Sequence, residues 1–164
     1  MNTVTRFAFG RPIPYQASAI PQVAARPLTA LVGRVCLAII FLVSGVGKFT
    51  DLGASIGYAR SAGLPWPEGM VPLAGVVEIV GGLSILFGAL TRIGALALAV
   101  FLVPAALYFH DYWTLTGPER QAQMIHFLKN LAIFGGMLLL IAEGAGRYSV
   151  DWMIRRRMAR PAGS

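Results

Sequence analysis

Four apolar stretches, each close to the length needed to cross a bilayer, dominate this chain. They run from about Leu28 to Lys48, Val71 to Leu90, Ile93 to His110 and His126 to Glu143. A hydrocarbon core about 30 Å thick is crossed by roughly 20 residues of helix. Within that core only helices or closed barrels satisfy their own backbone groups. Four such segments in 164 residues leave no polar shell for a water-soluble fold. Charged residues make up 13% of the chain, against roughly one-quarter in a soluble domain. These features exclude an ordinary cytosolic enzyme and a disordered chain. The expected fold class is all-α: an integral membrane four-helix bundle running up-down-up-down. Thr91 and Arg92 separate the second and third spans, so these form a tight hairpin, and Pro104 predicts a kink in the third.

Charge sorts cleanly onto this map. Arg6, Arg11, Arg26, Arg92, Arg147, Arg155, Arg156, Arg157 and Arg160 against Asp151 leave +8 on one side. Arg60 and Arg120 against Asp51, Glu68, Asp111 and Glu119 leave −2 on the other. By the positive-inside rule both termini are cytoplasmic, and the segments 49–70 and 111–125 face outward. Residues 1–27, with Pro12, Pro14, Pro21 and Pro27, read as a cytoplasmic N-terminal arm rather than a signal peptide. Residues 28–152 read as the four-span domain and 153–164 as a basic cytoplasmic tail. The run RRRMAR in that tail suits anionic lipid headgroups rather than nucleic acid. The outer segment DLGASIGYARSAGLPWPEG has room for one short surface helix. Cys36, the single cysteine, leaves no internal disulfide or cysteine-based zinc site, and reads as a packing residue. No metal site is expected.

Ionisable groups inside spans are costly unless paired or wetted, so they direct the search for function. Arg34 and Lys48, Glu78 and Arg92, and Lys129 and Glu143 are each fourteen residues apart. That spacing is close to four helical turns, so each pair shares one stripe. Leu37, Phe41 and Ser44 lie between the members on the first helix; Gly81, Ile85 and Gly88 on the second; Ala132, Gly136 and Leu140 on the fourth. Small residues on the stripes of the second and fourth mark faces where helices approach closely, so the stripes should point inward. Depth along the helices gives two clusters. The outer one holds Glu78, Lys129, Lys48, His110 and His126, with Asn130 beside it; the inner one holds Arg34, Arg92 and Glu143. A rise of about 1.5 Å per residue puts Glu78 and Lys129 roughly 20 Å above the inner boundary and Lys48 nearer 30 Å. Glu78–Lys129 is therefore the expected ion pair. It either fixes helix register, with Lys48 snorkelling outward, or lines a pocket that polarises a head group or passes a proton. His110 and His126 read as belonging to an aromatic belt with Tyr108, Tyr112 and Trp113, to a quinone or proton-relay site, or to a haem or metal site.

FLVSGVGKF ends the first span, and VVEIVGGLSILFGALTRIGALAL crosses the second and third. YFHDYW, FLKNLAIFGGMLLL and GAGRYSVD follow. In this order, with Lys48, Glu78, His110, Lys129, Asn130 and Asp151 in place, the chain resembles the DoxX family of small bacterial four-helix membrane proteins from about Leu28 to Asp151. The resemblance implies association with redox systems. The family's name comes from a subunit associated with a terminal quinol oxidase and thiosulfate:quinone oxidoreductase in a sulfur-oxidising archaeon, and other members are linked to thiol and oxidative-stress complexes.

The leading expectation is an inner-membrane subunit or accessory of a quinone-linked or thiol/oxidative-stress oxidoreductase, more an aid to a partner than an enzyme alone. A quinone head group would sit in the outer cluster. A non-catalytic scaffold whose buried charges serve packing, and a small-molecule or lipid carrier, are the alternatives. The expected partners are the lipid bilayer and a protein subunit or a second copy of the chain, with no nucleic acid.

Overall fold

The computed structural model describes residues 26–159. The expected N-terminal arm therefore lies outside the described residues, apart from the start of the first helix. In chain order the elements are α1 (Arg26–Thr50), α2 (Leu52–Ser61), α3 (Pro67–Phe87), α4 (Thr91–Phe109), a single 3-10 turn (Tyr112–Thr114), α5 (Gly117–Glu143) and α6 (Val150–Met158). No strand occurs among the described residues. Four helices, α1, α3, α4 and α5, are long and apolar enough to cross a membrane. Their outward faces are apolar: Val46 is 56% exposed, Val80 61%, Val100 64% and Leu139 67%. In water such a surface would aggregate; in lipid it is the solvated face.

Two boundaries differ from the sequence reading for local reasons. α3 ends at Phe87 because Gly88 takes a left-handed conformation (φ +67°) and its amide bonds back to Ser84, a common helix terminator. α5 starts at Gly117, well before His126, because Pro118 fits a first-turn position and the polar run to Gln123 consists of good helix formers. Hydropathy marks where a helix enters lipid, not where it begins. α4 runs through Pro104 as one helix.

The core is small. Phe41 of α1, Ile85 of α3, Ala95, Leu98, Ala99 and Leu102 of α4 and Met137 of α5 are buried against one another. Around this core α1 packs closely on α3, α3 on α4 and α4 on α5, while α1 and α5 approach closely only near the core, where Leu37 lies against Gly136. α2, capped by Asp51 accepting from the Ala54 amide at 2.9 Å, lies against α3, and its Tyr58 ring stacks on Phe109 at 5.3 Å. The expected short helix is thus part of the bundle's end.

The described part of the expected basic tail, residues 153–159, is helical as far as Met158. Ser149 caps α6 by accepting from the Trp152 amide at 3.1 Å, and Arg155, Arg156 and Arg157 in its last turn complement the helix dipole. Asp151 ties α6 to the α3–α4 turn. Its carboxylate accepts from the Leu90 amide at 2.8 Å, the Thr91 amide at 3.0 Å and the Thr91 hydroxyl at 2.8 Å. α4 has no side-chain cap of its own, since Leu90 at its N-cap carries no acceptor. Asp151 supplies that cap from another helix. Burial alone would push the Asp151 carboxyl up; the Thr91 and Leu90 hydrogen bonds and nearby Arg155 outweigh it and hold the group below the usual carboxylate range.

Candidate functional site

Glycine allows α1 and α3 to approach closely enough to build a polar site. A Cβ on Gly45 would lie 2.8 Å from Ile79 Cγ1 and 3.0 Å from the Gly75 carbonyl oxygen; one on Gly75 would lie 2.7 Å from the Phe49 ring. At this crossing Lys48 Nζ donates to Glu78 Oε2 at 2.6 Å and to Ser44 Oγ at 3.0 Å. Ser44 Oγ in turn donates to Glu78 Oε1 at 2.8 Å. Lys48 and Ser44 are one helical turn apart, and helical side chains lean toward the N-terminus. The lysine therefore reaches back down α1 to the level of its partner. The Lys48 side chain is 24% exposed and that of Glu78 4%.

The expected pairing of Glu78 with Lys129 is therefore corrected. Lys48 takes the carboxylate instead of snorkelling outward, because a long side chain can shift its charge by more than the depth difference read from the sequence. Lys129 Nζ lies 3.2 Å from His126 Nδ1. The His126 ring stacks on His110 at 5.2 Å, and His110 Nδ1 lies 2.8 Å from Gln123 Oε1.

Of the expected outer cluster, Lys48, Glu78, His110, Lys129 and Asn130 meet, together with Ser44, on the wall of a cavity of about 770 Å³ between α1, α3, α4 and α5, with Ser55, Tyr58 and Ala59 of α2 closing its end. His126 is outside this lining. The rest of the wall is apolar and aromatic, including Phe41, Phe101, Leu102 and Phe109. Lys48 Nζ lies 6.0 Å from the Phe101 ring centre. An ammonium has three donors; Ser44 and Glu78 use two, and the third is available to a ligand. The pair is neutral overall, so the site suits a neutral acceptor such as a carbonyl better than an ion.

The members of the expected inner cluster form no ion pair with one another among the described residues. Arg34 is 1% exposed and donates to the backbone carbonyls of Ile85, at 3.3 Å, and Tyr148. Arg92 donates to the Ala142 carbonyl at 3.1 Å. Glu143 is exposed and makes no ion pair among the described residues. The stripe on α5 also fails to point inward throughout, since Lys129, Ala132 and Glu143 are all exposed. Equal spacing fixes a common face, but neighbours decide whether that face is covered. The sequence reading passed over Ser44 as a site residue and Asp151 as a cap. Ser44 was detectable from its position four residues before Lys48; Asp151 had no local signal.

Residues 29–111 match the DoxX family model. The inner membrane protein YphA of Escherichia coli (strain K12) is 32% identical over 151 residues, covering 92% of this chain and 99% of that protein. The chain belongs to the DoxX family. The E. coli inner membrane protein YqjF is 38% identical over 127 residues, 77% of this DoxX protein and 92% of that one. CatD of Bacillus subtilis (strain 168), which carries a provisional oxidoreductase name, is 35% identical over 74 residues, 45% of this chain and 54% of that protein. No solved structure matches significantly. With four helices of spanning length and relatives in the E. coli inner membrane, this DoxX protein is a multi-pass inner-membrane protein. Its Ser44, Lys48, Glu78 and His110 fall within the matched family region; Lys129 and Asn130 lie beyond it.

Proposed function

We propose that this protein is a membrane subunit or accessory of a quinone-linked oxidoreductase system, and that it holds the quinone head group against Lys48. One observation carries the reading: the Lys48–Glu78 pair lies on the wall of a cavity, with Lys48 partly open, rather than sealed between helices. A quinone ring is flat, neutral and carries carbonyl acceptors. The free N–H of Lys48 serves one carbonyl, the aromatic wall accepts the ring, and the Asn130 amide is a second donor. The oxidoreductase name of CatD supports the same direction.

The bundle runs up-down-up-down with both termini cytoplasmic. Two sets of contacts support this order. Arg34, early in α1, reaches Ile85 late in α3 and Tyr148 after α5, while His110 after α4 meets His126 in the first half of α5. Nine arginines on the Arg34 side, two on the other, give the orientation. Residues 28–152 form the membrane domain, flanked by the arm and the basic tail.

The test is extraction of the protein in mild detergent, followed by mass spectrometry of bound lipids. Quinone should co-purify with the native protein and be lost from Lys48→Met, while that variant still inserts. Absence of quinone from the gently extracted native protein overturns the reading in favour of a scaffold whose three polar side chains only satisfy one another.

A further inference from the structure

We propose that the cavity takes its ligand sideways from the bilayer, through the gap between α1 and α5, and that the ligand's apolar tail lies along α1 toward Cys36. This rests on the head-group reading above and extends it to the class of ligand: an amphiphile with a flat polar head and a long apolar tail, here a polyprenyl quinone.

Three observations carry the inference. The cavity is polar at one end and apolar at the other. Along α1 its lining runs from Lys48 and Ser44 through Val43, Ile40 and Ile39 to Cys36. Twelve residues separate the ends, so the wall is roughly 18 Å long at the helical rise. That length greatly exceeds a single ring. Next, the apolar lining residues on α1 remain open although they face the cavity: Val43 is 68% exposed, Ile39 53% and Ile40 36%. Finally, α1 and α5 have few close backbone approaches, unlike α1 with α3, α3 with α4 and α4 with α5; they meet in the apolar core, where Leu37 lies against Gly136, and the gap lies on the Lys48 side of that contact. The open side therefore lies between two spanning helices, where the surroundings are lipid and not water.

Affinity alone cannot locate the tail. An apolar groove and lipid tails are about equally apolar, so moving the tail from one to the other changes binding little. Occlusion can locate it, and Cys36 is the single cysteine of the chain, exposed at the apolar end of the cavity.

The experiment uses the full chain in nanodiscs and follows alkylation of Cys36 by a lipid-soluble maleimide. It compares a ubiquinone bearing eight isoprene units with a tailless ubiquinone analogue, and measures binding of each separately. With about nine sites in ten filled by the long-tailed quinone, alkylation should slow about tenfold, because only the empty fraction reacts. The tailless analogue should bind yet leave the rate unchanged, and Lys48→Met should remove the protection. If both quinones bind and Cys36 is not protected, or is protected equally by both, the tail path is overturned and the head-group reading stands. Protection that persists in Lys48→Met also overturns it, since bulk lipid then covers Cys36. If neither quinone binds, the head-group reading falls and the tail path with it.

Discussion

Lys48 and Glu78 are joined at 2.6 Å by helices that can approach this closely because Gly45 and Gly75 carry no side chain at the crossing. A buried pair of this kind has asymmetric energetics. Two opposite charges with a shared serine satisfy one another, but either one alone is stranded. Removing one partner of a fully buried pair costs about 3–5 kcal/mol, and the exposure of Lys48 to the cavity places this pair below that range. Lys48→Met should therefore lower thermal stability in detergent markedly. The double variant Lys48→Met with Glu78→Gln should recover part of the loss, because no charge is left unpaired. Additive losses in that double-mutant cycle would show that the two groups do not interact.

Gly45→Val should separate α1 from α3. The first Cβ already meets Ile79 and the Gly75 backbone, and backbone cannot move aside as a side-chain tip can. Overpacking of this kind costs about 1–3 kcal/mol. Gly47→Ala, on the same helix with open space around it, should be nearly neutral. Thermal melts of the two variants in one detergent provide the comparison.

Asp151→Asn should loosen α6. An amide keeps one acceptor oxygen where the carboxylate has two, and loses the charge at the start of α4. The expected loss is about 1–2 kcal/mol, the range for a helix cap. Hydrogen exchange should rise at the Leu90 and Thr91 amides, which Asp151 holds, and unchanged exchange there would contradict the capping role. The same contact sets a pH dependence. The Asp151 carboxyl lies below its usual value when folded. Its contribution is thus complete above the unfolded value of about 3.9 and is lost as pH falls through the folded one. Protection of the two amides should accordingly collapse only in acid.

Gly88→Ala should be among the most damaging single-methyl changes. Gly88 has φ +67°, and a Cβ there would lie 2.1 Å from the guanidinium of Arg34 and 2.4 Å from Ser149 Cβ. The left-handed conformation alone costs about 1–2 kcal/mol for a residue with a side chain. Displacing Arg34 would further orphan the carbonyls of Ile85 and Tyr148. Yield and melting temperature of the purified variant measure the effect; stability equal to that of the native protein would refute the packing described.

The four spans were legible in the sequence because the bilayer imposes one length and one polarity on every crossing segment, and α4 was found almost to the residue. The stripe Glu78, Gly81, Ile85 and Gly88 was legible too, since helical periodicity alone puts these residues on one face, and all four are buried. Pairing was not. Whether Glu78 meets Lys48 or Lys129 depends on how close α1 comes to α3 and on which way a long side chain leans, and neither is set by distance along one helix. The exposure of Lys129, and the use of Arg34 and Arg92 on backbone carbonyls instead of Glu143, have the same origin. So has the α4 cap, which comes from Asp151, 60 residues on from the Thr91 it holds. By itself the sequence determined that this chain carries four helices long and apolar enough to cross a membrane, and which residues on each are polar. Only the tertiary structure decided which of them meet, and that a cavity lies among the four helices, because these depend on contacts between helices and not on the period within one.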